Sequence, residues 1–301
     1  RENLAGHVAG EGETNVQQVV GHHEQRFEGG FLTWGATAVH SRGMIAEGMP
    51  DEQVAVQRIV FAALPDETTV LGMQFARTAR RRVYLRAVKG LHLHVPNDLF
   101  NGGRRIYHTA RGPIDLAGAG SEEERLDLGG AWVNIDDCLS VVGVYGMDSL
   151  WVHRPGRRQI GLRGHDATDP NGPGGMLYCD EICSPLWVGM ASVDPGTVLF
   201  DVGFVLQAST DHHAAACVRD ARCRRMETAS APAVRAMAAD GTDGKTYLLL
   251  ANFGEDRAAV DLDVGSARQA TDPVTEEHVA ADGGVLNVAI EAEGARLLIV
   301  E

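Results

Sequence analysis

The sequence predicts an all-β protein with a large antiparallel β-sandwich, a short helical connector and a small C-terminal β-sandwich. Short runs of β-branched and aromatic residues recur roughly every 8 to 20 residues, which is typical of antiparallel sheets. Turn-forming residues separate these runs. The chain also contains 36 glycines, above the usual share of about 7%. Many glycines favour many short turns over long helices.

The first two hundred residues alternate between predicted strands and turns. Leu64-Pro65-Asp66 is a turn signal, and the runs on either side of it predict a hairpin. The predicted strands of this region are Phe31 to Val39, Val54 to Ala63, Thr68 to Phe75, Val83 to His94, Trp132 to Tyr145, Leu150 to Arg154, Gly175 to Ile182 and Val198 to Ala208. We interpret residues 1–205 as one large antiparallel β-sandwich.

The segment from Thr210 to Arg225 has a different pattern. Its small apolar residues fall at helical spacing, and arginines near its end suit the negative end of a helix dipole. We therefore predict a helix here, within a connector over residues 206–239.

The last sixty residues predict a second, smaller β-sandwich over residues 240–301. Asp282-Gly283-Gly284 indicates a tight hairpin. The predicted strands are Lys245 to Asn252, Ala258 to Val264, Val285 to Ile290 and Ala295 to Val300.

Composition excludes several classes of function. The net charge is −14, and no basic face for nucleic acid is evident. No run approaches the roughly 18 apolar residues that a membrane span requires. The five cysteines are an odd number without metal-site spacing, which favours a reducing, cytoplasmic compartment and predicts no metal and no cofactor. Because the sequence begins at Arg1 in mid-pattern, we expect a catalytic domain upstream.

The tail resembles the C-terminal β-sandwich that follows the barrel in many glycoside hydrolases. The matching segments are Tyr247 to Phe253, Ala270 to Thr275, Gly284 to Val288 and Ala295 to Val300. Glu276 occupies the place where that pattern usually has a turn glycine. The region from about residue 20 to residue 205 is similar in style to the extended supersandwich-like domain beside the catalytic domain of polysaccharide lyases and several hydrolases.

The stretch from Trp132 to Asp136 is the candidate substrate-binding site. In a strand, Trp132, Asn134 and Asp136 share one face, opposite Val133 and Ile135. An aromatic plate beside an amide and a carboxylate suits a sugar ring and its hydroxyls. The alternative interpretation is that Trp132 fills an interdomain contact.

Candidate catalytic groups come from acidic doublets and from histidines. Glycoside hydrolysis needs two carboxylates on opposite sides of one bond, and Asp136 with Asp180 is the possible pair. His92 and His94 share a strand face, with Asp98 after the next turn. Two histidines with a carboxylate can hold zinc, or can act as a base and its orienter. The alternatives are turn carboxylates and a polar strand face packed on a neighbouring domain.

We therefore expect the β-rich part of a carbohydrate-active enzyme, either a glycoside hydrolase or a polysaccharide lyase. Its expected partners are a glycan or oligosaccharide and an upstream catalytic domain, with no nucleic acid and no membrane. The alternatives are a non-catalytic carbohydrate-binding or structural β-sandwich protein, and an isomerase-type sandwich acting on free sugars.

Overall fold

The all-β fold is confirmed by the computed structural model. It describes residues 7–10, 15–41, 52–66, 68–78, 82–96, 106–115, 124–135, 138–154, 179–209 and 223–301. The strands of the first part of the chain are β1 (His7–Gly10), β2 (Asn15–Phe27), β3 (Gly30–Ser41), β4 (Glu52–Ala63), β5 (Thr69–Thr78), β6 (Val83–Pro96), β7 (Ile106–Thr109) and β8 (Gly112–Asp115). In the part of the chain that the structure describes, no helix is long and apolar enough to cross a membrane.

Fourteen further strands complete the described residues. In the middle of the chain these are β9 (Glu124–Asp127), β10 (Trp132–Ile135), β11 (Cys138–Tyr145), β12 (Trp151–Arg154), β13 (Cys179–Val193) and β14 (Val198–Ser209). The C-terminal strands are β15 (Cys223–Met226), β16 (Val234–Asp240), β17 (Thr246–Asn252), β18 (Ala258–Asp263), β19 (Gln269–Thr271), β20 (His278–Asp282), β21 (Val285–Ile290) and β22 (Ala295–Val300).

These strands form three sheets. The large sheet has nine strands in the order β2-β3-β4-β5-β14-β11-β10-β7-β8. A second sheet has five strands in the order β1-β6-β13-β12-β9. The C-terminal sheet has eight strands in the order β15-β16-β17-β22-β19-β20-β21-β18.

Two turns predicted from sequence are confirmed. Asp66, between β4 and β5, accepts hydrogen bonds from the backbone amides of Thr68 and Thr69 at 3.0 and 2.8 Å, which stabilises the reversal of the chain. Between β20 and β21, Gly283 and Gly284 have φ angles of 58° and 86°. A two-residue hairpin turn needs this left-handed backbone, which glycine adopts readily.

The nine-stranded sheet is buried on both faces. Its inner face packs on the five-stranded sheet, where Val133, Ile135 and Phe204 meet Leu91 and Ile182. Its outer face packs on the C-terminal sheet through a core formed by Leu32, Val60, Leu71, Met73, Phe75, Trp132, Met237, Tyr247, Leu249 and Leu297. A third core lies within the C-terminal sheet itself, around Leu248, Leu250 and Leu298.

Polar contacts join the nine-stranded sheet to the C-terminal sheet. Arg235 donates a hydrogen bond of 2.6 Å from Nε to Asp201 Oδ2, between two side chains that are 16% and 22% exposed. At another point, the backbone amide of Thr242 donates to Asp66 at 3.0 Å. The contacts are spread along the interface, so they define one relative position of the two sheets.

Some predicted boundaries need correction. The predicted helix is wrong at its end, because Cys223–Met226 pairs with β16 as a strand, and residues 210–222 lie outside the described residues. The single strand predicted from Trp132 to Tyr145 is two strands, which pair with each other on either side of residues 136 and 137. The division of the chain into domains at residues 205 and 240 stays a prediction, although β15 and β16 already belong to the C-terminal sheet.

Candidate functional site

A cleft of about 630 Å³ lies between the edge of the nine-stranded sheet and the C-terminal sheet. Gln25 on β2 and Trp34 on β3 line one wall. The other wall carries the charged and polar side chains Arg257, Asp272, Glu277, His278, Asn287, Glu291 and Arg296. Its volume falls within the range of about 300 to 1,000 Å³ that is common for small-molecule sites.

Trp34 provides an aromatic surface at the cleft. Strand alternation places it on the same face as Leu32, which belongs to the core beneath the C-terminal sheet. Unlike Leu32, which is 1% exposed, Trp34 is only half-buried. Its ring stacks on His23, the cross-strand partner on β2, with ring centroids 5.1 Å apart and planes inclined by 18°. The stack holds the indole in a defined orientation.

Arg296 organises the opposite wall. Its Nε and Nη2 atoms donate to Asp272 Oδ2 at 3.0 and 2.9 Å, and Nη2 also donates to Glu277 Oε2 at 2.8 Å. The Asp272 side chain is 6% exposed, and its other oxygen accepts from the amides of Val274 and Thr275. Asp272 is therefore a buried structural anchor for Arg296.

The rim of this wall carries two further polar pairs. Arg257 and Glu291 form an exposed ion pair of 3.3 Å between Nε and Oε1. The amide nitrogen of Asn287 donates to Asp261 Oδ1 at 2.7 Å. This bond uses one of the two amide hydrogens, so Asn287 keeps its carbonyl oxygen and its second amide hydrogen.

A hydrogen-bond chain leads to His278. Gln269 donates to Glu301 Oε2 at 2.6 Å, and the Thr271 hydroxyl donates to Glu301 Oε1 at 3.1 Å. These two bonds hold the pKa of the Glu301 carboxyl below its usual range. The Thr271 oxygen also lies 2.9 Å from His278 Nδ1.

A smaller polar pocket of about 40 Å³ lies behind Trp34. It contains Arg58, a buried residue of β4 that is 7% exposed. The guanidinium donates to the carbonyl oxygen of Phe253 at 2.6 Å and to the carboxylate of Glu293. Glu293 has a φ of 55°, a backbone conformation that is costly for residues other than glycine. Arg58 thus fixes the wall that carries Trp34 against the turn before β22.

The predicted binding residues Trp132 and Asn134 lie elsewhere. They share one strand face, as predicted, but Trp132 is 9% exposed and Asn134 is fully buried. Asn134 donates to Ser140 Oγ at 2.9 Å, and Trp132 belongs to the core between the two sheets. This burial favours the alternative in which Trp132 fills an interdomain contact.

The predicted catalytic pair of Asp136 and Asp180 stays a prediction. Asp136 lies outside the described residues, and Asp180 is on β13 of the five-stranded sheet, but its side chain is not described. His92 is buried on β6 with 7% exposure. His94 is on the same strand, but its side chain lies outside the description, as does Asp98. No group of three possible metal ligands is found among the described residues.

Sequence reasoning missed Trp34 and the charged wall. Trp34 lay within a predicted strand, but nothing in that strand's pattern distinguishes a rim position from a core position. Asp272 and Arg296 lay in the segments that carry the resemblance, and they are far apart in sequence. Only the pairing of β22 with β19 brings the segments that carry Arg296 and Asp272 together in the C-terminal sheet.

No protein-family model and no curated protein matches this sequence. The similar solved structures include the galactosidase domain of alpha-galactosidase-sucrose kinase AgaSK, at 7% identity and a TM-score of 0.41, where the match covers 71% of this chain and 31% of that one. The GH36 alpha-galactosidase AgaB from Geobacillus stearothermophilus matches at 8% identity and a TM-score of 0.41, over 69% and 30% of the two chains. A galactose mutarotase related enzyme from Lactobacillus acidophilus matches at 12% identity and a TM-score of 0.33, over 65% and 72%.

The chain thus spans less than a third of the length of the alpha-galactosidases that it matches. At these TM-scores the likeness carries no argument about function, which has to come from the cleft itself.

Proposed function

We propose that this chain is the β-rich part of a carbohydrate-active enzyme and that its cleft binds glycan. The observation that carries the proposal is the half-buried Trp34 ring across a cleft of about 630 Å³ from a wall of three carboxylates, two arginines, an asparagine and a histidine.

The chemistry of the two walls suits a sugar. The C–H face of a pyranose packs well on an aromatic ring, while its hydroxyls need nearby polar groups. Trp34 provides the ring on one side of the cleft, and Glu277, His278 and Asn287 provide polar groups on the other. An apolar ligand would leave this second wall without partners, which is unfavourable.

The carboxylates that line the cleft suit glycan binding better than hydrolysis of a glycosidic bond. Each of its three lining carboxylates is already ion-paired within the chain, Asp272 and Glu277 with Arg296, and Glu291 with Arg257. A glycosidase needs one carboxyl group that donates a proton and a second that acts as base or nucleophile. We therefore place the bond-breaking step in a catalytic domain upstream of the described residues.

The proposal is tested by titrating the purified chain of 301 residues with a panel of oligosaccharides, using calorimetry. The Trp34→Ala variant should lose binding by about fivefold or more, because stacking on an aromatic ring contributes on the order of 1 kcal/mol or more. Trp34→Phe keeps a ring and should retain most of the affinity.

The matched control is Phe31→Ala, which removes an aromatic ring of β3 that is 40% exposed and lies outside the cleft. It should leave binding unchanged. If no oligosaccharide binds the parent chain, or if Phe31→Ala weakens binding as much as Trp34→Ala, the glycan-binding proposal fails.

The ion pairing also favours a second candidate, a carbohydrate-binding β-sandwich protein with no catalytic partner. The two are separated by the gene sequence upstream of Arg1. Both predict binding without turnover for the 301 residues, and only the first predicts an adjoining catalytic domain.

A further inference from the structure

The hydrogen-bonding capacity of the cleft is unevenly divided between donors and acceptors. Arg296 has committed its Nε and Nη2 atoms to Asp272 and Glu277, and its Nη1 atom has a longer contact of 3.5 Å to the carbonyl oxygen of Ala289. Arg296 therefore has little hydrogen-bonding capacity left to offer an incoming anion.

His278 adds an acceptor to this wall. A threonine hydroxyl carries one hydrogen, and that of Thr271 is donated to Glu301, since a carboxylate only accepts. The contact of 2.9 Å between the Thr271 oxygen and His278 Nδ1 then requires Nδ1 to be the donor. In the neutral imidazole, Nε2 is left as an acceptor on a residue that lines the cleft.

Acceptors are also present on the remaining polar residues. Asn287 donates one of its two amide hydrogens to Asp261 and keeps its carbonyl oxygen as an acceptor, and Glu277 and Glu291 are carboxylates. The lining also contains one more carboxylate than arginines, within a chain of net charge −14. An anionic ligand would meet this excess of negative charge, and the second cation of the lining, Arg257, is already paired through its Nε atom with Glu291. Sugar hydroxyls would find acceptors.

From this division we infer that the cleft selects neutral glycans, whose hydroxyls donate hydrogen bonds, over uronate-containing or sulfated ones. The inference rests on the proposed glycan-binding function of the same cleft. It assigns His278 as a specificity-determining acceptor and Thr271 as the residue that positions it.

The test compares matched pairs of oligosaccharides that have equal length and linkage and differ only at C6, such as those of mannose and mannuronate, and of galactose and galacturonate. Calorimetric titration of the parent chain should give at least about tenfold tighter binding of a neutral member, a difference of about 1.4 kcal/mol. A uronate that binds as tightly as its neutral counterpart overturns the inference and leaves the binding function standing. Binding of neither member of any pair overturns both.

Charge-neutral variants test the cause of the selectivity. The double variant Glu277→Gln with Glu291→Gln should reduce the ratio of binding affinities between the neutral and the charged member of each pair by several-fold. Glu24→Gln, on β2 outside the lining, is the matched control and should leave it unchanged. An unchanged ratio in the double variant would show that the carboxylates do not set the selectivity.

The role of Thr271 has its own spectroscopic readout. Nitrogen-15 NMR of the parent chain at a pH where His278 is neutral should show Nδ1 protonated and Nε2 free. Thr271→Val should shift this tautomer balance and weaken binding of the neutral sugar. A protonated Nε2 in the parent chain would contradict the assignment of His278 as an acceptor.

Discussion

The guanidinium of Arg58 on the nine-stranded sheet donates to the carboxylate of Glu293, in the turn before the last strand of the C-terminal sheet. The same guanidinium donates at 2.6 Å to the backbone carbonyl of Phe253. Arg58 is 7% exposed, whereas the side chain of Glu293 is 50% exposed. One buried cation thus holds two segments of the C-terminal sheet to the outer face of the large sheet.

Arg58→Met should lower the free energy of unfolding by about 2 to 4 kcal/mol, because the carbonyl of Phe253 and the Glu293 carboxylate both lose their donor. Urea denaturation measures the change. Arg26→Met is the control, since Arg26 pairs with Glu24 on the surface and its side chain is 83% exposed. That change should stay within about 0.5 kcal/mol. Equal effects of the two variants would mean that the buried contacts contribute no more than a surface pair.

Acidification should weaken the contact at Asp66. Burial raises the pKa of Asp66, but hydrogen bonds from Thr242, Thr69 and Thr68 together outweigh it and hold the pKa below its ordinary value. A carboxyl with a depressed folded-state pKa contributes stability that is complete above the unfolded value of about 3.9, and loses it as the pH falls through the folded value.

The corresponding variant is Asp66→Asn. At neutral pH it should cost about 1 kcal/mol, because the half-exposed carboxylate loses charge-assisted bonds. Urea denaturation repeated toward pH 3 should show the gap between variant and parent shrinking. Asp256→Asn, at an exposed site, should show no such pH dependence. A gap that widens on acidification would contradict the sign of this effect.

Glu276→Gly should stabilise the protein by up to about 1 kcal/mol. Glu276 has a φ of 59°, a left-handed conformation that costs a residue with a Cβ about 1 to 2 kcal/mol, partly offset by the flexibility of glycine in the unfolded chain. Its backbone amide would keep its bond of 2.8 Å to the carbonyl of Asp272. Thermal melting should show a higher Tm for Glu276→Gly and no gain for Glu276→Ala, which retains the Cβ.

Trp132→Ala should cost about 3 to 5 kcal/mol, the usual loss for removing a large aromatic side chain from a core. Thermal melting measures the loss, and glycan titration of the same variant separates the two interpretations of this residue. If Trp132 is architectural, the folded variant binds glycan as the parent does. If Trp132→Ala instead kept the stability of the parent and lost glycan binding, Trp132 would be a glycan-contact residue, as the sequence pattern predicts.

The strands were predicted well from the sequence where turn-forming residues separate them. The turn at Asp66 and the glycine pair at Gly283 could be predicted because particular residue types favour those backbone conformations. The sequence has Glu276 where a turn glycine is usual, and the structure shows that Glu276 adopts a left-handed backbone conformation there. Local conformational preference was enough at each of these positions.

The candidate cleft could not be predicted from the sequence, because its position depends on which strand faces are covered by another sheet. The run Tyr247 to Ala251 is continuously apolar, since Tyr247 and Leu249 pack on the large sheet while Leu248 and Leu250 pack within the C-terminal sheet. The same burial removes Trp132 from solvent. Trp34, on β3 of the same sheet, stays half-buried although Leu32 on the same strand face is 1% exposed. Alternation identifies the face of a residue but not what covers it.

The cleft has one wall on each of two sheets, and this couples ligand affinity to the strength of the intersheet interface. A glycan that touches Trp34 and the C-terminal wall together would bind the docked arrangement better than the separated one. The coupling between glycan binding and docking of the two sheets is reciprocal. Bound glycan would therefore stabilise the interface, and a variant that weakens the interface would lower glycan affinity by the same coupling free energy. Arg58→Met should therefore weaken glycan affinity without touching the large cleft, and saturating glycan should recover part of the stability that this variant loses.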